Sequence, residues 1–150
     1  MRLARLVASG FGIGYVPFAP GTVASVAALA IGATMLLVSP ILLGIAALVA
    51  SVGGVWVVRQ ARVDGDPGWV VIDEFAGQWI ALLGIGRVAP MELLAAFLLF
   101  RALDIWKPGL VGWADRRHGA VGLMADDVIA GLIAAAVLFL LQPIWPAVPW

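Results

Sequence analysis

Between Leu6 and Val58 the chain carries no charged side chain, and most of the residues there are Ala, Val, Leu, Ile or Gly. Few folds accommodate such a stretch. Its apolar side chains exclude water, so its backbone N–H and C=O groups must be satisfied internally, and the α-helix does this without a partner. Ser39-Pro40 interrupts the run with a turn signal. The pattern predicts a helical hairpin with one span near Thr22–Val38 and the next near Ile41–Val58. At 1.5 Å per residue, each is about long enough to cross a hydrocarbon core of roughly 30 Å. The rest of the 150-residue chain is similar in character: 63% of it is hydrophobic, 12% is charged, and the mean hydropathy is +1.08. A soluble domain of this size lacks the interior to hide so much apolar surface.

An integral membrane protein follows. The expected fold is all-α: a polytopic membrane helical bundle of four to five apolar helices plus short interfacial helices, forming a single domain over residues 1–150. The formal net charge is zero, so the totals predict no attraction to nucleic acid. There is no cysteine, which excludes disulfides, thiolate catalysis, cysteine zinc sites and iron–sulfur clusters. The N-terminus, Met1 to Ala8, superficially resembles the start of a signal peptide. Gly10, Gly12, Gly14, Pro17 and Pro20 then break the apolar run and no cleavage site closes it, so it reads as a retained segment at the surface.

After the hairpin, Arg59 to Gly68 is a polar loop with two arginines, two aspartates and a Pro-Gly pair. Val70–Gly86 and Met91–Leu103 are apolar but short for spans, and read as two tilted crossings or a re-entrant pair. A polar stretch from Asp104 to Met124 follows, and then a last apolar segment, Val128–Leu141. Orientation comes from lysine and arginine. With a cytoplasmic N-terminus and one crossing per segment, Arg2, Arg5, Arg59, Arg62, Arg101, Lys107, Arg116 and Arg117 fall on the cytoplasmic side, and only Arg87 lies opposite. The same pattern places Asp66, Asp73, Glu74, Asp104, Asp126 and Asp127 on that cytoplasmic side, although the topology was built without them.

Carboxylates beside lipid are costly. Asp126 and Asp127 are expected to open the last helix, where an N-cap and a dipole-complementing acid explain one of them. Two adjacent carboxylates repel, and a divalent cation relieves this. Asp73 and Glu74 sit in the first turn of their helix behind Val70, Val71 and Ile72. They either complement its dipole or complete an oxygen cage suited to Mg²⁺. Asp66, before Pro67-Gly68, reads equally well as a turn residue. Asp64-Gly65-Asp66 lacks the strand context of an aspartyl-phosphate motif. Arg101, Asp104 and Lys107 fall at i, i+3, i+6 before Pro108. That spacing reads as a surface ion-pair ladder or as a cationic clamp on phosphate. Trp106 and Trp113 read as interface anchors. The turn at Gly21, Thr22 and Ser25 opens a helix whose free N–H groups and hydroxyls suit an anion. Arg116 and Arg117 suit a phosphate or anionic lipid. His118 stands alone, which excludes histidine metal clusters.

These residues, taken in order, resemble the phosphatidylglycerophosphatase A family. The resemblance rests on Gly14-Tyr15, Ala19-Pro20-Gly21-Thr22 with Ser25, Asp66-Pro67, Val71-Ile72-Asp73-Glu74 and Gly77-Gln78. It continues with Phe100-Arg101, Asp104-Ile105-Trp106-Lys107-Pro108, Asp115-Arg116-Arg117, Gly119, Gly122, Met124, Asp126-Asp127 and Gly131. It implies an all-α, Mg²⁺-dependent enzyme of the bacterial inner membrane that hydrolyses phosphatidylglycerophosphate to phosphatidylglycerol and inorganic phosphate. On that footing Asp73, Glu74, Asp126 and Asp127 are expected to hold the metal, and Asp126, Asp127, Asp104 and Lys107 to form the catalytic set. Gly21, Thr22, Ser25, Arg101, Lys107, Arg116 and Arg117 are expected to bind substrate. Attack by water and attack by an aspartate both stay open. The rival reading is a small ion- or proton-coupled transporter. Transport sites lie near mid-bilayer and often between repeats. Here the acids fall at span ends and no repeat is visible.

Overall fold

The computed structural model describes residues 2–63, 65 and 67–144. Asp64, Asp66 and the Pro- and Trp-rich end from residue 145 onward lie outside the described residues. Those described are all helical, without a strand: α1 (Arg2–Ala8), α2 (Pro20–Val38), α3 (Pro40–Ala61), α4 (Ile72–Leu82), α5 (Pro90–Trp106), α6 (Leu110–Asp115) and α7 (Gly119–Leu141), with 3-10 turns at Ile13–Tyr15 and Gln142–Ile144. α2, α3 and α5 each begin on a proline, whose missing N–H costs nothing at the first helical position. At the hairpin turn, the Ser39 hydroxyl accepts from the Ile41 N–H at 3.1 Å and caps α3.

Three of these helices, α2, α3 and α7, are long and apolar enough to cross a membrane; the expected four to five apolar helices require α4 and α5 to be counted with them. α4 has 11 residues, about 16 Å at 1.5 Å per residue. α5 is longer but includes Glu92, Arg101 and Asp104. α7 begins at Gly119, not at the aspartates. The residues from Gly119 to Met124 are uncharged and simply continue the apolar helix backwards, so Asp126 and Asp127 stand about two turns inside it. The N-terminal segment is only partly a surface feature: Leu3, Phe11 and Phe18 are exposed, while Ala8 and Ser9 are buried and the Ala8 carbonyl accepts from the Val71 N–H at 2.9 Å.

α4 stands at the centre, packed by α7, α3, α2 and α5. Its contact with α7 is glycine on backbone. A methyl group on Gly131 would lie 3.0 Å from the Cα and the carbonyl carbon of Gly77, and one on Gly84 would lie 2.6 Å from the Ala135 Cα. Small residues allow such close approach, and van der Waals packing of this kind joins helices where no water is left to expel. On the α2 side, Phe75 and Trp79 meet edge to face at 5.6 Å, and the Trp79 indole donates to the Ala28 carbonyl at 2.9 Å.

The two ends of the bundle differ. The N-termini of α2 and α4, the C-termini of α3 and α5, and all of α6 gather at one end with every Lys and Arg except Arg87. The hairpin turn, the α4–α5 loop and the C-terminus of α7 close the other. There Gln142 donates to the Gly84 carbonyl at 2.9 Å, and Glu92 accepts from the Arg87 backbone N–H at 2.9 Å and pairs with its guanidinium. Between the ends lie Phe100 with Ala81, Ala130 and Ala134, and then Leu43, Leu82, Ile85 and Leu138.

Gly131→Ala should force α4 from α7 and destabilise the protein by about 1–3 kcal/mol. Gly44→Ala on α3, where a methyl group meets nothing within 4 Å, should instead be neutral or stabilising by up to about 1 kcal/mol. Thermal unfolding of both variants in detergent checks the contrast.

Candidate active site

α4 delivers Asp73 and Glu74 from its first turn, as expected. α7 delivers Asp127 from two turns inside. One carboxylate oxygen of each of Asp73, Glu74 and Asp127 lies within 4.8 Å of the other two. Asp73 and Asp127 are buried. Asp104 adds a further negative charge near Glu74 and Asp127.

Asp126 does not join the three. Its Oδ1 accepts from the Asp127 backbone N–H at 3.0 Å, and its Oδ2 accepts from the Lys107 ammonium at 2.7 Å. Adjacent residues on a helix diverge by about 100°, so the pair on α7 faces two ways. Lys107 is also not on the face of Arg101 and Asp104. α5 ends at Trp106 and Lys107 caps it in the left-handed region at φ 48°, which sends its side chain across to Asp126 of α7 and to Asp115, which closes α6. Burial lowers the Lys107 pKa, but the hydrogen bonds and charges of Asp115 and Asp126 outweigh it and raise the pKa above the usual lysine value. Both carboxylates therefore favour the charged form of Lys107.

Arg101 pairs with Asp104 through Nη1, and its Nη2 lies 3.5 Å from the Thr22 hydroxyl. Gly21 sits against the same group. A methyl group there would strike Glu74 Oε1 and lie 3.5 Å from Arg101 Nη2, so glycine leaves room for the carboxylate at the N-terminus of α2. Ser25 is fully buried and its hydroxyl donates to the Gly21 carbonyl at 2.8 Å, so it supports the turn from beneath. Arg116 and Arg117 stay outside the acidic cluster. The Arg117 guanidinium lies 4.2 Å over the Trp113 ring. Arg117 and His118 line a polar cavity of about 110 Å³ that reaches Asp126. Trp106 and Trp113 are exposed at this end.

At this end of the bundle the ion pairs engage Lys107 with Asp115 and Asp126, and Arg101 with Asp104. None of them involves Asp73, Glu74 or Asp127. Four buried polar atoms here lack a partner: Glu74 Oε2, Arg101 Nε, and Oε1 and Nε2 of Gln78. Such atoms cost about 1–3 kcal/mol each if left unsatisfied. A hard cation takes oxygen ligands, and the clustered carboxylates of Asp73, Glu74 and Asp127 fit one, whereas the Arg101 and Gln78 N–H groups need acceptors. The sequence reading gave no role to Gln78 or Asp115. An isolated amide four residues after Glu74, in an otherwise apolar helix, was the available signal for the first.

The family model for phosphatidylglycerophosphatase A matches residues 6–142. The chain belongs to the phosphatidylglycerophosphatase A family. A phosphatidylglycerophosphatase A from Escherichia coli K12 is 37% identical over 146 residues, covering 95% of this chain and 85% of the relative. One from Haemophilus influenzae is 35% identical, covering 92% and 88%. A Bacteroides thetaiotaomicron protein, provisionally named a phosphatidylinositol-3-phosphatase, is 38% identical, covering 87% of each chain. No solved structure matches at significance. In this phosphatidylglycerophosphatase A family member, Gly21→Ala should displace the Glu74 carboxylate. A displacement of about 1 Å should cost about a hundredfold in activity, with helicity by circular dichroism unchanged.

Proposed function

We propose that the protein hydrolyses the terminal phosphate monoester of phosphatidylglycerophosphate, releasing phosphatidylglycerol and inorganic phosphate, at the cytoplasmic face of the bacterial inner membrane. One observation carries the reading: Asp73, Glu74 and Asp127, from two helices, bring oxygens within 4.8 Å of one another without a cationic partner among the ion pairs, at one end of an apolar bundle. The family name supplies the substrate class.

Asp73, Glu74 and Asp127 would hold Mg²⁺, which when bound polarises the phosphoryl group and eases deprotonation of water. The chain's own residues do the remainder. Lys107, kept protonated by Asp115 and Asp126, and Arg101, aligned by Asp104, supply positive charge where negative charge develops on the phosphoryl oxygens. The first-turn N–H groups of Gly21 and Thr22 add donors, since helix N-termini favour anions. A water oxygen, directly or after transfer of the phosphoryl group to an aspartate, bonds to phosphorus; the phosphorus–oxygen ester bond breaks, and a proton equivalent to one lost by that water ends on the glycerol oxygen.

Sidedness follows from charge. Eight of the nine lysines and arginines lie at the end that holds the carboxylates, and the positive-inside rule makes that end cytoplasmic. With α2, α3 and α7 crossing the bilayer, α4 and α5 form an apolar pair returning within it, bringing the apolar helices to five. The lipid tails then stay in the leaflet while the headgroup meets the polar end.

Phosphate release by the purified protein tests the proposal, using phosphatidylglycerophosphate, phosphatidic acid and phosphatidylinositol 3-phosphate, with Mg²⁺ or with a chelator. Turnover should favour phosphatidylglycerophosphate by at least about tenfold, vanish with chelator and return with Mg²⁺. Asp73→Asn and Asp127→Asn should each lose about a hundredfold or more with unchanged helicity. Preference for the phosphoinositide would overturn the substrate, and full activity in chelator would overturn the metal.

A further inference from the structure

Gln78 is fully buried, and neither atom of its amide has a hydrogen-bond partner. It follows Glu74 by one helical turn on α4, so the two side chains lie on one face. Glu74 Oε2 is likewise buried and unpartnered, as is Arg101 Nε. Glu74 and Arg101 are neighbours, since both would meet a methyl group placed on Gly21. The orphaned donors are thus the Gln78 NH₂ group and the Arg101 Nε–H, and the orphaned acceptors are Glu74 Oε2 and Gln78 Oε1. Donors and acceptors match in kind, and buried groups of this sort are rarely left unsatisfied.

We propose that Gln78 is a positioning residue for the carboxylate cluster. Its amide, through ordered water shared with Arg101 Nε, holds the Glu74 carboxylate at Oε2 and so sets how that carboxylate is presented to the cluster. The proposal rests on the divalent-cation reading of Asp73, Glu74 and Asp127. Outer partners of ligating carboxylates orient them, and removing such a partner costs 10- to 100-fold in metal affinity or activity. Glutamine suits this position better than an acid, because it can donate to Glu74 without adding another negative charge.

The experiment is Mn²⁺ binding to the purified full chain in detergent, followed by electron paramagnetic resonance without substrate. Gln78→Leu should weaken Mn²⁺ binding by about 10- to 100-fold. Gln78→Asn, which keeps the amide on a shorter stem, should weaken it less. Because the effect acts through Glu74, Gln78→Leu should add nothing in a Glu74→Gln background, a non-additivity that general loss of packing does not produce. In phosphate release, Gln78→Leu should lower kcat while KM for the lipid changes by less than about twofold. If both Gln78 variants bind Mn²⁺ as the parent does, or if the losses with Glu74→Gln simply add, Gln78 has no positioning role. If Gln78→Leu does not fold, Gln78→Asn decides alone: unaltered Mn²⁺ affinity overturns the proposal. Absence of Mn²⁺ binding by the parent would overturn the cation reading itself.

Discussion

The glycine-to-backbone contact between α4 and α7 sets the distance at which the carboxylates meet. Gly77 and Gly131 allow the two helices to touch along their main chains. Asp73 and Glu74 lie one turn before Gly77, and Asp127 lies one turn before Gly131, so the residues that join the helices also fix the register of the acids. Bulkier residues at the seam would hold the helices further apart and open the cluster. The same closeness buries Asp73 and Asp127, and this raises the electrostatic cost of the three carboxylates, whose neighbouring cation, Arg101, is itself paired with Asp104.

The division of charge at this end of the bundle follows from backbone geometry. Lys107 leaves the helical path at φ 48° and reaches Asp126 on α7 and Asp115 on α6, tying those two helices to the end of α5. Arg101 stays on α5 and is held by Asp104. Each cation is thereby oriented by a carboxylate of its own, and Asp73, Glu74 and Asp127 form a separate group that could hold a metal ion. Asp126 and Asp127 are adjacent in sequence yet serve different partners, because one step along a helix turns the side chain by about 100°.

Much of this was legible in the sequence for one reason: in a chain with so few charges, each charge at the edge of an apolar run is informative. The hairpin, the polar end and both acidic pairs follow from that. Other features were hidden by local context. The start of α7 was obscured because the neutral residues from Gly119 to Met124 adjoin the charged segment before them. The turn of Lys107 off its helix was missed because a left-handed conformation at a lysine is set by the chain reversal around Pro108 and Gly109. Gln78 is visible in the sequence as an isolated amide in an apolar helix, but its burial and lack of partners come only from the structure. Arg116 and Arg117 read in the sequence as suited to a phosphate or to anionic lipid, with a substrate role implied by the resemblance, and the structure stacks Arg117 on Trp113 outside the carboxylate cluster.

The far end of the bundle bears on how its charge is distributed. Phe100, Leu82, Ile85 and Leu138 fill the space between the acids and the opposite surface, and the polar groups there close on themselves through Gln142 with Gly84 and Arg87 with Glu92. Among the described residues no file of polar side chains bridges the two ends. Apolar packing thus separates the carboxylates from the polar groups of the opposite end, and the charge of the bundle is gathered at one surface.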